Sequence, residues 1–229
     1  MTLIGRYSRP TFVRRQRTVE VVGWLMLAGL LAGMLAKWMD EDGPAVLGSA
    51  GGWLAWLLSL LGVWAFTIAM VARSAPSPSH AAVRSSAFLL AMCVGYYGFS
   101  QVVFGFSGVR LLELWCVLAV TVAPLLATGL CWAVRSPRRS AAAEVVTALV
   151  AAIPLGVLVA EAVSLAAPPA NGDVPALVDL VLAAVLVWLL PRNPPARMRM
   201  LLAGVPTTLA AWLVQANYPH LFTALLRIL

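Results

Sequence analysis

The stretch AAAEVVTALVAAIPLGVLVAEAVSLA, residues Ala141–Ala166, decides the fold class of this chain. Glu144 and Glu161 are its only charged residues, and the run is long enough for a helix to cross a hydrocarbon core of about 30 Å. Its apolar residues are continuous and do not alternate with polar ones, which favours a helix over a strand of a membrane barrel. We therefore expect a membrane-spanning helix here.

Comparable apolar runs recur along the whole chain, in which 62% of the 229 residues are hydrophobic and 11% are charged. The sequence predicts an all-α, polytopic transmembrane bundle of about seven spans. We expect residues 1–18 to form a basic tail and residues 19–229 a single transmembrane domain; whether 219–229 is interfacial or part of a span stays open. The predicted spans are Val19–Met39, Gly51–Ala72, Ser86–Phe106, Leu111–Val134, Ala141–Ala166, Val174–Leu190 and Met200–Ala216.

The distribution of basic residues predicts the orientation of the bundle. Thirteen of the 16 lysines and arginines fall on one side of the alternating topology. By the positive-inside rule, the N-terminus is expected in the cytoplasm and the C-terminus outside. The net charge of +7 therefore indicates contact with membrane lipid and gives no reason to expect a nucleic-acid partner.

Small residues and prolines within the spans predict how the helices pack. Glycine or alanine recurs every four residues in two spans, which permits close backbone approach. These positions are Gly29 and Gly33, and Ala148, Ala152, Gly156 and Ala160. Pro124, Pro154 and Pro206 each remove a backbone hydrogen bond and are expected to kink their helices.

The segment GFSGVRLLELW, Gly105–Trp115, resembles the nucleophile motif of rhomboid intramembrane proteases, with Ser107 as the nucleophile. That family takes its catalytic histidine from the sixth core helix, which here reads DVPALVDLVLAAVLVWLL and contains none. His80 is expected across the membrane from Ser107, and His220 follows the last span. We expect Ser107 to cap a helix beside Gly108, so no catalytic residue is assigned and the chain is not expected to be an enzyme.

No metal site or cofactor is expected. The three cysteines lie singly within predicted spans, no C-x-x-C pair exists, and two histidines do not supply a metal-binding cluster.

Three acids within the predicted spans are the strongest candidates for a functional site. Glu113, Glu161 and Asp179 are expected at similar depth in the outer leaflet, where an ionisable group costs several kcal/mol unless it faces a cavity or a partner. Three such residues at one level are a stronger signal than any one of them.

Further polar residues fall at the same predicted level. Tyr97 and Gln101 lie four residues apart on one helix face, and Arg110 follows in a short loop. Together with the three acids they predict an outward-open ligand pocket. The alternative, given equal weight, is that these side chains only anchor helix ends at the membrane surface.

The segments YYGFSQ, Tyr96–Gln101, and PLGVLVAEAV, Pro154–Val163, resemble small uncharacterised multi-pass proteins of high-GC Gram-positive bacteria. This resemblance implies a bacterial plasma membrane and leaves the function unassigned.

Three functions remain open from the sequence. The leading hypothesis is binding or passage of a small polar or cationic solute at the outer-leaflet acids. The alternative is a non-enzymatic accessory or assembly protein whose partners are other membrane proteins, and a rhomboid-like serine hydrolase using Ser107 is the weaker alternative.

Overall fold

The computed structural model describes residues 11–135, 140–166, 173–191 and 193–217. Within those ranges the chain forms ten helices and no strand, so the all-α prediction is confirmed. The helices are α1 (Thr11–Glu41), α2 (Gly43–Leu47), α3 (Ser49–Ser59), α4 (Leu61–Ser74), α5 (Pro78–Phe104), α6 (Val109–Val120), α7 (Val122–Arg135), α8 (Ala141–Ala166), α9 (Asp173–Leu189) and α10 (Pro194–Ala216). Helix α1 begins inside the predicted basic tail. Residues 1–10 of that tail, His220 and the segment 219–229 lie outside the described residues.

In the described part of the chain, four stretches of helix are long and apolar enough to cross a membrane. They are Val19–Glu41, Pro78–Phe104, Val109–Arg135 and Ala141–Ala166, while α4 and most of α9 are apolar but shorter. Large apolar side chains also cover the outside of the bundle: Trp24 is 70% exposed, Leu125 73% and Val102 85%. Water-soluble proteins rarely expose so much contiguous apolar surface. The fold is therefore that of a membrane-embedded helical protein, and the seven-span count stays a prediction.

Helices α1 and α5 meet through their backbones at glycines. A Cβ on Gly29 or Gly33 of α1 would fall on the carbonyl oxygen of Phe88 or Met92 of α5, and one on Gly95 of α5 would fall on that of Leu30. The predicted packing role of Gly29 and Gly33 is thus confirmed, because only a residue without a side chain allows this approach.

The second predicted small-residue face packs α8 against α10. A Cβ on Gly156 would lie 2.7 Å from Oγ1 of Thr207, and that hydroxyl donates to the carbonyl oxygen of Ala152 at 3.1 Å. Ala152 and Ala160 are fully buried. Helix α8 also contacts α4, α7 and α9, which makes it the central element of this half of the bundle.

Two of the predicted spans are interrupted in the structure. In Gly51–Ala72, α3 ends at Ser59 and α4 starts at Leu61, because Leu60 takes an extended conformation with φ −69° and ψ 132°. In Leu111–Val134 the interruption falls at Thr121. There Pro124 lacks the N–H that would donate to the carbonyl of Val120.

The other two span prolines, Pro154 and Pro206, lie inside the unbroken helices α8 and α10. Neighbouring helices in a bundle can accommodate a missing hydrogen bond of this kind.

Candidate functional site

The break at Leu60 places the N-terminus of α4 in the interior of the bundle. The first N–H groups of a helix have no carbonyl partner within it, and the N-cap residue, Leu60, carries no acceptor in its side chain. Glu161 of α8 supplies the acceptor. Its carboxylate accepts from the backbone N–H of Leu61 at 3.0 Å and from that of Gly62 at 2.5 Å. A negative charge is favoured here because the helix dipole is positive at this end.

Asp179 of α9 lies beside the same point. A Cβ built on Gly62 would be 2.7 Å from Oε2 of Glu161 and 2.9 Å from Oδ1 of Asp179, so the two carboxyl groups are no farther apart than the sum of those distances. Leu158 of α8 closes the remaining side, with Cδ2 2.8 Å from that position. We call Glu161 and Asp179 the acid pair. Gly62 is required between them because any side chain there would displace both carboxylates.

The two members of the acid pair differ in how their oxygens are satisfied. Both oxygens of Glu161 accept backbone hydrogen bonds, whereas Asp179 is fully buried and neither of its oxygens has a hydrogen-bond partner among the described residues. In the part of the chain that the structure describes, no lysine or arginine forms an ion pair with either acid. Two carboxyl groups this close in a low-dielectric interior require either that one of them keeps its proton or that a cation compensates the second charge.

The other sequence-predicted site residues do not join the acid pair. Glu113 and Arg110 are exposed on α6, whose main contacts are with α5 and α7, and Gln101 is exposed on α5. Tyr97 is half-buried, and its ring carbons lie within 3.0 Å of a Cβ built on Gly108. The structure therefore brings together two of the six predicted residues. A ligand-binding role stays a prediction for all six.

Ser107 lies exposed in the non-helical link between α5 and α6. The N-cap of α6 is Gly108, and no side chain caps that helix, so the expected capping role of Ser107 is wrong. His80 lies in the first turn of α5, at the opposite end of that helix, where its Nδ1 is 2.7 Å from Oγ of Ser77.

A second polar group, which we call the lysine cluster, consists of Lys37, Asp40 and Glu41 of α1 and Tyr96 of α5. Lys37 pairs with Glu41, and the Tyr96 hydroxyl donates to Oδ2 of Asp40 at 2.6 Å. The ammonium group of Lys37 also lies 5.4–5.8 Å from the ring centroids of three aromatic residues. These are Tyr96, Phe104 and Phe106.

The sequence-based expectations do not include the lysine cluster. The spacing of Lys37 and Glu41, four residues apart on one helix face, is the sequence feature that indicates the ion pair.

Comparison with known proteins places the whole bundle in one family. Residues 13–220 match the model of a family of unknown function, DUF6518. The chain belongs to the DUF6518 family. No curated protein and no solved structure matches it. The DUF6518 region includes both the acid pair and the lysine cluster, so the functional argument depends on their geometry.

Proposed function

We propose that this chain is a multi-pass membrane protein that binds or passes a small cationic solute at the acid pair. The observation that supports the proposal most strongly is the carboxyl group of Asp179, fully buried and without a hydrogen-bond partner, next to Glu161. A buried, unpaired carboxylate is costly, and a bound cation removes that cost. The site is thus better suited to a positive solute than to an empty state.

The break between α3 and α4 gives Glu161 and Asp179 different roles. Glu161 is held by the N–H groups of Leu61 and Gly62, so it is a fixed part of the site. Asp179 has no such ties and is the group able to change partner. Membrane transporters often place ion and substrate sites at discontinuous helices, but a helix N-terminus favours the anionic group; here it holds the carboxylate of Glu161, and the support for a cation comes from Asp179.

The ligand set favours a monovalent or organic cation over a divalent metal. Among the described residues, no group of three or more histidine, cysteine, aspartate or glutamate side chains is arranged to hold a metal ion. Calcium and similar ions take six to eight oxygen ligands, more than two carboxylates supply. Ammonium or a protonated amine needs only hydrogen-bond acceptors, which the two carboxyl groups supply, and an alkali ion matches the charge of the site.

Thermal unfolding of the purified chain in detergent tests the proposal. Chlorides of sodium, potassium, ammonium and choline are compared at constant ionic strength, and at least one should raise the midpoint of the wild type. Asp179→Asn should remove that response. Glu144→Gln serves as the matched control, since Glu144 is a half-exposed acid paired with Arg199 away from the pair. A cation response of equal size in wild type and Asp179→Asn would refute the proposed site.

The accessory-protein alternative gives a different result in the same measurement. Glu161 already has two hydrogen bonds, which is also what a purely structural link between α4 and α8 requires. In that case no cation should stabilise the wild type. A membrane protein that copurifies equally with wild type and Asp179→Asn would then support an assembly role.

We also propose that the chain is not a hydrolase. Ser107 has no histidine near it among the described residues, because His80 lies at the far end of α5. A fluorophosphonate probe should therefore leave the protein unlabelled. Labelling of the wild type that Ser107→Ala abolishes would instead favour the rhomboid-like alternative.

The orientation in the membrane forms part of the proposal, with the N-terminus in the cytoplasm of a bacterial cell. Ser107 and Ser140 are both exposed and are expected on opposite sides. In a cysteine-free background, Ser107→Cys should react on intact cells with a membrane-impermeant thiol reagent, and Ser140→Cys should not. The reverse pattern would put the acid pair nearer the cytoplasmic side.

A further inference from the structure

The acid pair requires one compensating positive charge, which either a proton or the cation of the proposed function can supply. Glu161 of α8 and Asp179 of α9 both approach Gly62, so their carboxyl groups lie close together. Burying two ionised carboxylates without compensation costs far more than burying one. One of the two acids therefore keeps its proton when no cation is bound.

The hydrogen bonds of the two acids decide which one carries the proton. Both oxygens of Glu161 accept from N–H groups at the positive end of α4, which favours the ionised form of that residue. Asp179 is fully buried, and no donor among the described residues reaches either of its oxygens. The proton is therefore expected on Asp179, since a neutral carboxyl without a partner costs far less to bury than an ionised one.

The arginines of the neighbouring helices are engaged away from the acid pair. Helix α9 packs against α3, α4, α8 and α10, and α3 has no ionisable residue. Arg73 of α4 donates to the carbonyl oxygen of Leu189, and Arg197 of α10 lies 4.3 Å from the ring centroid of Trp188. Both contacts lie about 13 Å or more along α9 from Asp179, at a rise of about 1.5 Å per residue. The other described ionisable side chains of these helices pair with each other, Glu144 with Arg199.

We infer that the acid pair exchanges one proton for one monovalent cation, and that Asp179 is the residue that carries either of them. This inference rests on the proposed cation site and adds its coupling to protons. When the cation binds, the O–H bond of Asp179 breaks, the proton leaves to water, and the cation pairs with the carboxylate that remains. Because Glu161 stays ionised throughout, the acid pair and its occupant carry one net negative charge in both states. The exchange therefore adds no uncompensated charge to the interior of the bundle.

Infrared absorption of the full chain, in a detergent without ester groups, tests the exchange directly. The carbonyl stretch of a protonated carboxyl group is separate from the bands of a carboxylate. At neutral pH, with N-methylglucamine as the only cation of the buffer, the wild type should show this carbonyl band. Sodium, potassium, ammonium or choline chloride is then added at constant ionic strength. The salt that raises the unfolding midpoint should also remove the band.

Two variants and a pH series assign the band to the acid pair. Asp179→Asn should lack the band, whereas Glu144→Gln, which alters a half-exposed acid on α8, should keep it. The wild-type comparison needs no variant, so the test holds even if Asp179→Asn does not fold. In the wild type, the apparent affinity for the stabilising cation should fall about tenfold for each unit by which the pH is lowered from neutral, because one proton competes for one site.

The outcomes separate this inference from the proposed function. A cation that stabilises the wild type while the carbonyl band stays unchanged, or whose affinity is independent of pH, would overturn the exchange and leave the cation site standing. Absence of the band from the cation-free wild type would do the same. A band that is present when no cation stabilises the protein would refute the proposed function and the exchange together, and Asp179 would then be a buried neutral acid.

Discussion

The acid pair and the lysine cluster are both polar groups inside an apolar bundle, but their charges are balanced differently. In the lysine cluster, Lys37 pairs with Glu41, and Asp40 accepts from the Tyr96 hydroxyl. In the acid pair, Glu161 has backbone donors while the fully buried Asp179 has none. One group is complete within the protein. Among the described residues, the other has no positively charged partner.

This difference separates a structural role from a binding role. A satisfied polar network fixes the register of the helices that contribute to it, as the lysine cluster does for α1 and α5. A buried polar group without a hydrogen-bond partner favours ligand binding, because the ligand offsets the desolvation free energy that the fold leaves uncompensated. Four measurements test this division.

The largest effect is expected for Gly33→Ala, which disturbs the contact between α1 and α5, the two helices that carry the lysine cluster. The new methyl would fall on the carbonyl oxygen of Met92 and lie 2.7 Å from the backbone nitrogen of Tyr96. Backbone atoms cannot rotate away, so the free energy of unfolding in detergent should fall by about 3 kcal/mol. The control is Gly23→Ala on the same helix, where a Cβ would meet nothing within 4 Å. A similar loss in both variants would mean that the α1–α5 contact is not the cause.

Removing the cation from the lysine cluster should have the next largest effect. Lys37→Met keeps the side-chain length but leaves Glu41 without its partner, and we expect a loss of about 2 kcal/mol in unfolding free energy. Adding Glu41→Gln should restore about half of that loss, since the unpaired charge is gone. If the double variant is no more stable than Lys37→Met, the pair does not balance the cluster.

Within the acid pair, the two residues should respond with opposite signs. Without added cation, Asp179→Asn should raise the unfolding free energy by about 1 kcal/mol, because the amide removes the repulsion with Glu161. Glu161→Gln should lower it by a similar amount, through weaker acceptance from Leu61 and Gly62. The double variant should deviate from additivity, as neighbours in one network do. If Asp179→Asn instead lowers the unfolding free energy, the carboxyl group of Asp179 stabilises the fold and has a structural role.

The smallest effect is expected for Glu113→Gln. Glu113 is exposed on α6, so its neutralisation should change the unfolding free energy by no more than about 0.5 kcal/mol. The cation response should match that of the wild type. A lost response would restore Glu113 to the binding site that the sequence predicts.

The sequence was sufficient for the features that depend on composition and short spacing. Long apolar runs predicted the helices, and the bounds expected for Ala141–Ala166 agree with α8. The four-residue spacing of Gly29 and Gly33 predicted a packing face, because residues so spaced lie on one side of a helix.

The acid pair was harder to predict because its geometry depends on the break between α3 and α4, and no residue type in the local sequence indicates that break. Leu60 is neither proline nor glycine, and it is extended because contacts from other helices stabilise the break. Depth alone grouped Glu113 with Glu161 and Asp179. The depth of a residue in the membrane does not say which way its helix is rotated. The rotation of α6 places Glu113 on an exposed face.

The glycine contact between α1 and α5 also constrains the order of events during synthesis. At roughly 5–20 residues per second, a ribosome needs roughly 3–13 s to pass from the end of α1 at Glu41 to the end of α5 at Phe104. Throughout that interval the surface of α1 at Gly29 and Gly33 cannot contact α5, so it faces lipid or the insertion machinery. Slower codons between the two helices would lengthen this wait and lower the yield of assembled protein without changing a single amino acid.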